Sequence, residues 1–358
     1  MLFFELIQIA LGNRSELSNI PSEQEWEEVY LMAEKQALVG LLLSAIEVLD
    51  HKGHNVKPPQ MLFLQILGEV LQIEPENKKV DEAAALLTRL FKDSGYRTCV
   101  LKGQGIARLY PQPYRRQPGD VDLWVEGGRD KILKFVTNSY WGIGHVVIHH
   151  VDVRVIDGVA TEIHFIPCYS CNPMLHWKLQ RFFKRHSDKQ FSNFDKTVGF
   201  AYPTLRFNAV YLLSHIYMHF LYEGIGLRQM VDYYYVLKNL NEEERRQAAA
   251  DIKEVGLLKF AGAVMFVLQS VCSMDDNSLV TKLDEKRGRL LLDEIMVSGN
   301  FGKYDDRLKN RDAKNLIFYN LVALKRQLRF LRDYPMDIIS IPFFKVWHWC
   351  WRKSKGYL

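Results

Sequence analysis

Along the N-terminal part of the chain, apolar residues recur at spacings of three and four: Trp26, Val29, Leu31, Met32, Leu38, Leu41, Leu42 and Ile46. That spacing lines one side of a helix, and Ser22 followed by Glu25, just after Pro21, is a capping-box start signal. Leu2 to Ile73 is therefore predicted helical, interrupted by a polar, proline-ended loop at Asp50 to Pro59 before a helix over Met61 to Ile73. Val80 to Phe91 repeats the periodicity, ends near Ser94-Gly95 and leads into an apolar strand, Thr98 to Leu101. There the pattern changes. A glycine-punctuated turn, Lys102 to Gly105, precedes a second strand carrying Asp120 to Val125, and Asp130 to Ser139 can form a helix. His145 to His150, Asp152 to Ile156 and Val159 to Ile166 read as three short strands, with Asp157-Gly158 signalling a type I′ hairpin turn. Phe182 to Thr204 is charged and turn-rich, a linker pattern, and beyond Leu205 helical periodicity returns.

These elements predict an α+β protein: a small mixed-sheet core flanked by an N-terminal helical segment and a C-terminal helical bundle, divided as 1–76, 77–200 and 201–358. Composition, 48% hydrophobic and 25% charged over 358 residues, is that of an ordinary globular chain. A net charge of +5 falls short of a nucleic-acid-binding signature, so a long nucleic acid is not an expected partner. The five cysteines are few and odd in number for a disulfide framework, which points to a reducing compartment. Met1 to Leu11 contains Glu5 and lacks a basic leader region, and no apolar run approaches membrane-spanning length, so a cytoplasmic protein is expected.

The chemistry concentrates between Val100 and Val125. Side chains alternate along a strand, so Asp120 and Asp122 share a face with Cα atoms about 7 Å apart, while Val121 and Leu123 point into a core. Two carboxylates on one face suit magnesium, which takes one or two of them together with substrate phosphates. Gly103 and Gly105 let the backbone turn tightly and approach a ligand, and the short segment after them can aim N–H groups at phosphate. A nucleoside triphosphate with its magnesium fits both halves.

Lys102-Gly103, Leu109-Tyr110-Pro111 and Arg116-x-x-Gly119-Asp120-x-Asp122 resemble the signature of a poorly characterised bacterial nucleotidyltransferase family in the DNA polymerase β-like superfamily. The superfamily pattern is a glycine-rich turn, an Asp-x-Asp strand and a third carboxylate on a later strand. Gly103-Gln104-Gly105 departs from the two adjacent small residues usual in that turn. Glu162 is the expected third carboxylate: it shares a strand face with Ala160 and His164, and Thr161-Glu-Ile-His-Phe resembles the family's Glu-x-His step. Asp152 is the alternative, while Asp157 is accounted for by its turn. The resemblance implies transfer of a nucleoside monophosphate from an NTP to an acceptor hydroxyl on a small molecule, sugar or protein side chain. It implies two magnesium ions on Asp120, Asp122 and Glu162, phosphates cradled by Gly103, Gln104 and Gly105, and Lys102 and Arg116 neutralising the leaving pyrophosphate. The alternative is a catalytically inactive nucleotide-binding or interaction module on the same fold.

Further along, Asn208, Tyr211, His215, His219 and Tyr222 form a polar, aromatic stripe at helical spacing. Either His215 and His219 are a packed pair, or they wall the nucleotide or acceptor pocket; the stripe is expected to border the cleft that holds Asp120. Arg228 and Asp232 have the spacing of an i,i+4 pair, and the family also shows His and Arg-x-x-x-Asp here, which implies a buried structural or pocket role. His164 either orients Glu162 or touches the substrate, or is satisfied by backbone. His164, Cys168, Cys171 and His176 have zinc-like spacing without a second matched cysteine pair, so free thiols are the reading. Phe343 to Lys355 mixes three tryptophans with basic residues, the pattern of a helix docked on its own domain or of one resting on an acidic surface.

Overall fold

The computed structural model describes residues 1–53, 56–139, 141–307 and 316–357, residues 316–321 by their backbone. It is an α+β protein whose sheet lies between helices. Helices α1 (Leu2–Ala10), α2 (Glu23–Gln36) and α3 (Val39–His51) open the chain. The capping box at Ser22 forms: its Oγ accepts the Glu25 N–H at 3.3 Å, and the Glu25 carboxylate accepts the Ser22 N–H at 2.8 Å.

The next element corrects the sequence reading. Helix α4 runs unbroken from Gln60 to Asp93 through Pro75, where two helices with a break were expected, so position 76 lies inside a helix. Its inward face carries Ile66, Val70, Ala84, Leu87 and Phe91, and burial on both sides of the proline outweighs the one backbone hydrogen bond that Pro75 removes. Buried Asn77, two residues on, donates to the carbonyls of Tyr114 and Arg116 at 2.7 and 2.6 Å, tying α4 to the loop before the Asp strand.

Strand β1 (Thr98–Leu101), helix α5 (Gly103–Ala107), strand β2 (Val121–Val125) and helix α6 (Arg129–Asn138) follow, then strands β3 (Gly142–Val146), β4 (His150–Arg154) and β5 (Thr161–His164). The five-stranded sheet has the order β1-β2-β5-β4-β3; only β2 and β5 run parallel. The first two strands of the meander begin and end earlier than expected, so His150 opens β4 instead of closing β3, and the third is shorter at both ends. Gly158 turns with φ +70° while Asp157 keeps a negative φ, so the connection is not the type I′ turn, which needs both positive.

Alternation sorts the sheet's two faces. Val100, Val121, Leu123, Val125 and Ile163 bury against α4 and α6, whereas Trp124 packs toward helix α8 (Leu205–Tyr222), its ring 5.9 Å from Phe207. Asp122, Glu162 and His164 share the α8 face by the same parity.

Helix α7 (Pro173–Ser192) and a ribbon of β6 (Phe194–Asp195) and β7 (Phe200–Ala201) occupy the stretch read as a linker. Helices α8, α9 (Leu227–Lys238), α10 (Glu242–Val255), α11 (Leu258–Cys272) and α12 (Glu285–Ser298) follow, then α13 (Leu316–Leu328) and α14 (Pro335–Lys355). One apolar core runs from Phe3 through these helices to Ile341, and buried Gln36 clamps the two ends, accepting from Leu227 N–H at 2.8 Å and donating to the Ile295 carbonyl at 3.0 Å. Helix α14 docks through Ile338 and Ile341 and turns Phe343, Val346 and Trp347 outward. No described helix is long and apolar enough to cross a membrane.

Candidate active site

Lys102 closes β1 with φ +50° and ψ −143°, a conformation that L side chains rarely adopt and that costs about 1–3 kcal/mol. The turn brings its ammonium 2.9 Å from Asp122 Oδ1 and 3.1 Å from His215 Nε2, joining sheet to α8. Gly103 follows with φ +32° and leads into α5. Asp120 stands just before β2, half-buried, and Asp122 within it, 1% exposed. Parallel pairing sets Glu162 of β5 beside Asp122, and oxygens of Asp120, Asp122 and Glu162 lie within 4.8 Å of one another. Asp152, paired across the strands with Glu162, bonds instead to His150 Nε2 at 3.2 Å and is not in that group.

Imidazoles surround the carboxylates. His164 Nε2 is 2.8 Å from Asp122 Oδ1 and 3.1 Å from Glu162 Oε2, while its Nδ1 faces the Ile166 carbonyl at 3.4 Å, so it meets both acids and the backbone. His150 Nδ1 is 3.1 Å from Glu162 Oε2, and His219 Nε2 is 3.0 Å from His215 Nε2. With His149, five of the chain's eleven histidines line one cleft of about 330 Å³ that also holds Lys102, Asp120 and Glu162. So His215 and His219 border the cleft of Asp120, on the side opposite the sheet. A tighter cavity shares Lys102, Asp120, His215 and Phe301 in its wall and extends to Arg228.

The electrostatics follow from burial and partners. Burial alone would raise the Glu162 carboxyl, but the hydrogen bond and charge of His164, with His150 and Lys102, hold it at about 2. Burial disfavours the His164 cation, yet its bonds to Asp122 and Glu162 push it to about 9. Lys102 is likewise desolvated and still kept charged by Asp122, Asp120 and Glu162. His215, by contrast, is driven well below the usual histidine range by burial and by Lys102, so its Nε2 accepts from the ammonium.

Other side chains from the motif serve the scaffold. Arg116, 6% exposed, grips Asp232 with two bonds of 2.7 and 2.8 Å, and Tyr110 donates to the same carboxylate at 2.7 Å. Arg228 and Asp232 are both buried, as expected, but with separate partners: Arg228 donates to the carbonyls of Gln117 and Pro118 at 3.0 and 3.3 Å, and burial, then the charge of Arg116, pushes it down to about 10. The Gln104 amide donates to Asp81 Oδ1 at 2.7 Å and to the Asn77 carbonyl at 3.2 Å, so its side chain anchors α5 to α4. At Gly105 a Cβ would meet Tyr202 Cβ at 2.7 Å, so that glycine is required by packing.

Cys99, Cys168, Cys171, Cys272 and Cys350 are all free, and Cys168 Sγ lies 3.1 Å from Ser214 Oγ. Sequence reasoning missed His149 and His150; an adjacent histidine pair at a strand start was the signal, and only the β4–β5 register, which sets His150 opposite His164, gives it meaning. The donor set fits a divalent ion: three carboxylates converge, and Lys102 and His164 supply the positive charge that such an ion would bring to Asp122.

No curated protein matches this chain. A family model described as an uncharacterised nucleotidyltransferase matches residues 22–272, most of the chain, and the protein belongs to that family.

Proposed function

We propose that the protein is a magnesium-dependent nucleotidyltransferase of the polymerase β-like kind, moving a nucleoside monophosphate from an NTP to an acceptor hydroxyl and releasing pyrophosphate. The observation that carries this reading is the convergence of Asp120, Asp122 and Glu162 within 4.8 Å beside the strained Lys102-Gly103 turn. Asp120, Asp122 and Glu162 would hold magnesium, which when bound would neutralise the triphosphate and make the acceptor hydroxyl easier to deprotonate. Lys102, released from Asp122, is placed to meet phosphate charge. Arg228, buried in the wall of the tight cavity beside Gly119 and hydrogen-bonded to carbonyls, serves the leaving group better than Arg116, which Asp232 already engages. The backbone at Gly103 lines the tight cavity and offers close approach.

Of the stripe, His215 and His219 face the cleft, whereas Tyr211 is fully buried and lines neither cavity, so it packs behind them. The acceptor hydroxyl belongs to a small molecule, a sugar or a protein side chain. The free cysteines accord with a reducing, cytoplasmic compartment. A non-catalytic nucleotide-binding module is favoured by one observation, that Asp122 Oδ1 is already met by Lys102 and His164.

The test uses NTPs labelled at the α or the γ phosphate, with magnesium and a panel of hydroxyl acceptors. Transfer of α label with release of pyrophosphate, lost in Asp120→Asn, is expected. Transfer of γ label would overturn the reaction class, and magnesium-dependent NTP binding without any transfer or hydrolysis would favour the inactive module.

A further inference from the structure

Beside the carboxylate trio stands a second convergence that the carboxylates alone do not explain. His150 Nδ1, His164 Nε2 and Glu162 Oε2 lie within 4.8 Å of one another, with both nitrogens 3.1 Å from the same Glu162 oxygen. Hydrogen bonds account for only part of this. His150 Nδ1 faces both Glu162 Oε2 and His149 Nε2 at 3.1 Å, and His164 Nε2 faces both Asp122 Oδ1 at 2.8 Å and Glu162 Oε2 at 3.1 Å. Each ring nitrogen carries at most one proton, so the four short contacts have at most three protons between them, one each from His149, His150 and His164. A cation between these atoms would satisfy them together. Adjacent ligands of an octahedral ion with bonds of about 2.1 Å lie about 3.0 Å apart, close to the spacing found.

We infer that this cleft holds a mixed imidazole–carboxylate metal position, formed by His150 Nδ1, His164 Nε2 and Glu162 Oε2, which selects a first-row transition ion such as Mn²⁺ or Co²⁺ over Mg²⁺. Imidazole nitrogen suits transition ions, whereas Mg²⁺ keeps to oxygen ligands and water. Glu162 belongs to both groups, so it bridges the transition-ion position and the all-carboxylate position of Asp120 and Asp122. The proposal rests on the cleft being a metal site but not on nucleotide transfer.

The test needs no nucleotide. Metal-free protein is loaded with Mn²⁺ and studied by pulsed EPR, and Mn²⁺, Co²⁺ and Mg²⁺ affinities are measured by titration. Nitrogen couplings on the Mn²⁺ signal, and Co²⁺ affinity at least tenfold above that for Mg²⁺, are expected. His150→Gln should weaken Co²⁺ tenfold or more and leave Mg²⁺ nearly unchanged, while Asp120→Asn should do the reverse. Mn²⁺ bound without nitrogen coupling, or Co²⁺ and Mg²⁺ weakened equally by His150→Gln, would overturn this inference and leave the magnesium enzyme standing. Absence of any metal binding would sink both. Nitrogen-coupled Mn²⁺ without nucleotide transfer would sustain the metal position and remove the transferase. If His150→Gln fails to fold, the wild-type EPR spectrum alone decides.

Discussion

Substituting the two motif aspartates one at a time should separate stability from chemistry. Asp122 is 1% exposed and its Oδ1 meets the Lys102 ammonium at 2.9 Å and His164 at 2.8 Å, so Asp122→Asn strands a cation in a closed site. Breaking a buried ion pair by removing one partner costs about 3–5 kcal/mol. The Lys102 side chain is 18% exposed and His164 keeps Glu162, so the lower end, about 3 kcal/mol, applies. For a chain of this size that is a fall in melting temperature of about 4 °C. Asp120 is half-buried and at the cleft wall, so Asp120→Asn should stay within about 0.5 kcal/mol. Melting curves in chelator, then with MgATP, read both effects. Wild type at a hundredfold excess over Kd should gain about 2.7 kcal/mol from the ligand, and both variants should lose most of it. An Asp122→Asn protein that melts with wild type, or ligand stabilisation equal in all three, would refute the electrostatic account of the site.

Three further outcomes are expected. Gln104→Ala should cost about 1 kcal/mol in a melt by losing its bonds to Asp81 and Asn77, with nucleotide affinity unchanged; a large affinity loss would return the side chain to the phosphates. Gly105→Ala should cost about 1–3 kcal/mol because its Cβ would crowd Tyr202 at 2.7 Å, seen as a lower denaturation midpoint. Asp232, buried, is held below its usual carboxylate range by Arg116 and Tyr110 against the opposing effect of burial. Its contribution is therefore present above about pH 3.8 and lost as pH falls below that value, so the stability gap between wild type and Asp232→Asn should hold at neutral pH and narrow in acid.

Some of this protein is written locally. Ser22 and Glu25 start α2 because a cap needs only neighbours three residues apart, and the helical character of the chain beyond Leu205 is legible without reference to any other segment, although not where each helix ends. Strand alternation likewise puts Asp122 opposite Val121 and Leu123, and the Lys102-Gly103 turn announces itself by composition. What pairs with what is decided elsewhere. Asp232 chooses Arg116, across more than a hundred positions, over Arg228 on its own helix, because the loop pinned by Asn77 delivers the guanidinium in bidentate geometry. Gln104 turns to α4 because that helix continues past Pro75, which burial of its long inner face determines and local propensity opposes. His150 becomes a neighbour of Glu162 and His164 only through the β4–β5 register, and a shift of one residue would put it on the other face. Spacing along the chain specifies which side chains share a face; the partners they meet come from long-range packing, where many weak contacts together outweigh any single local preference.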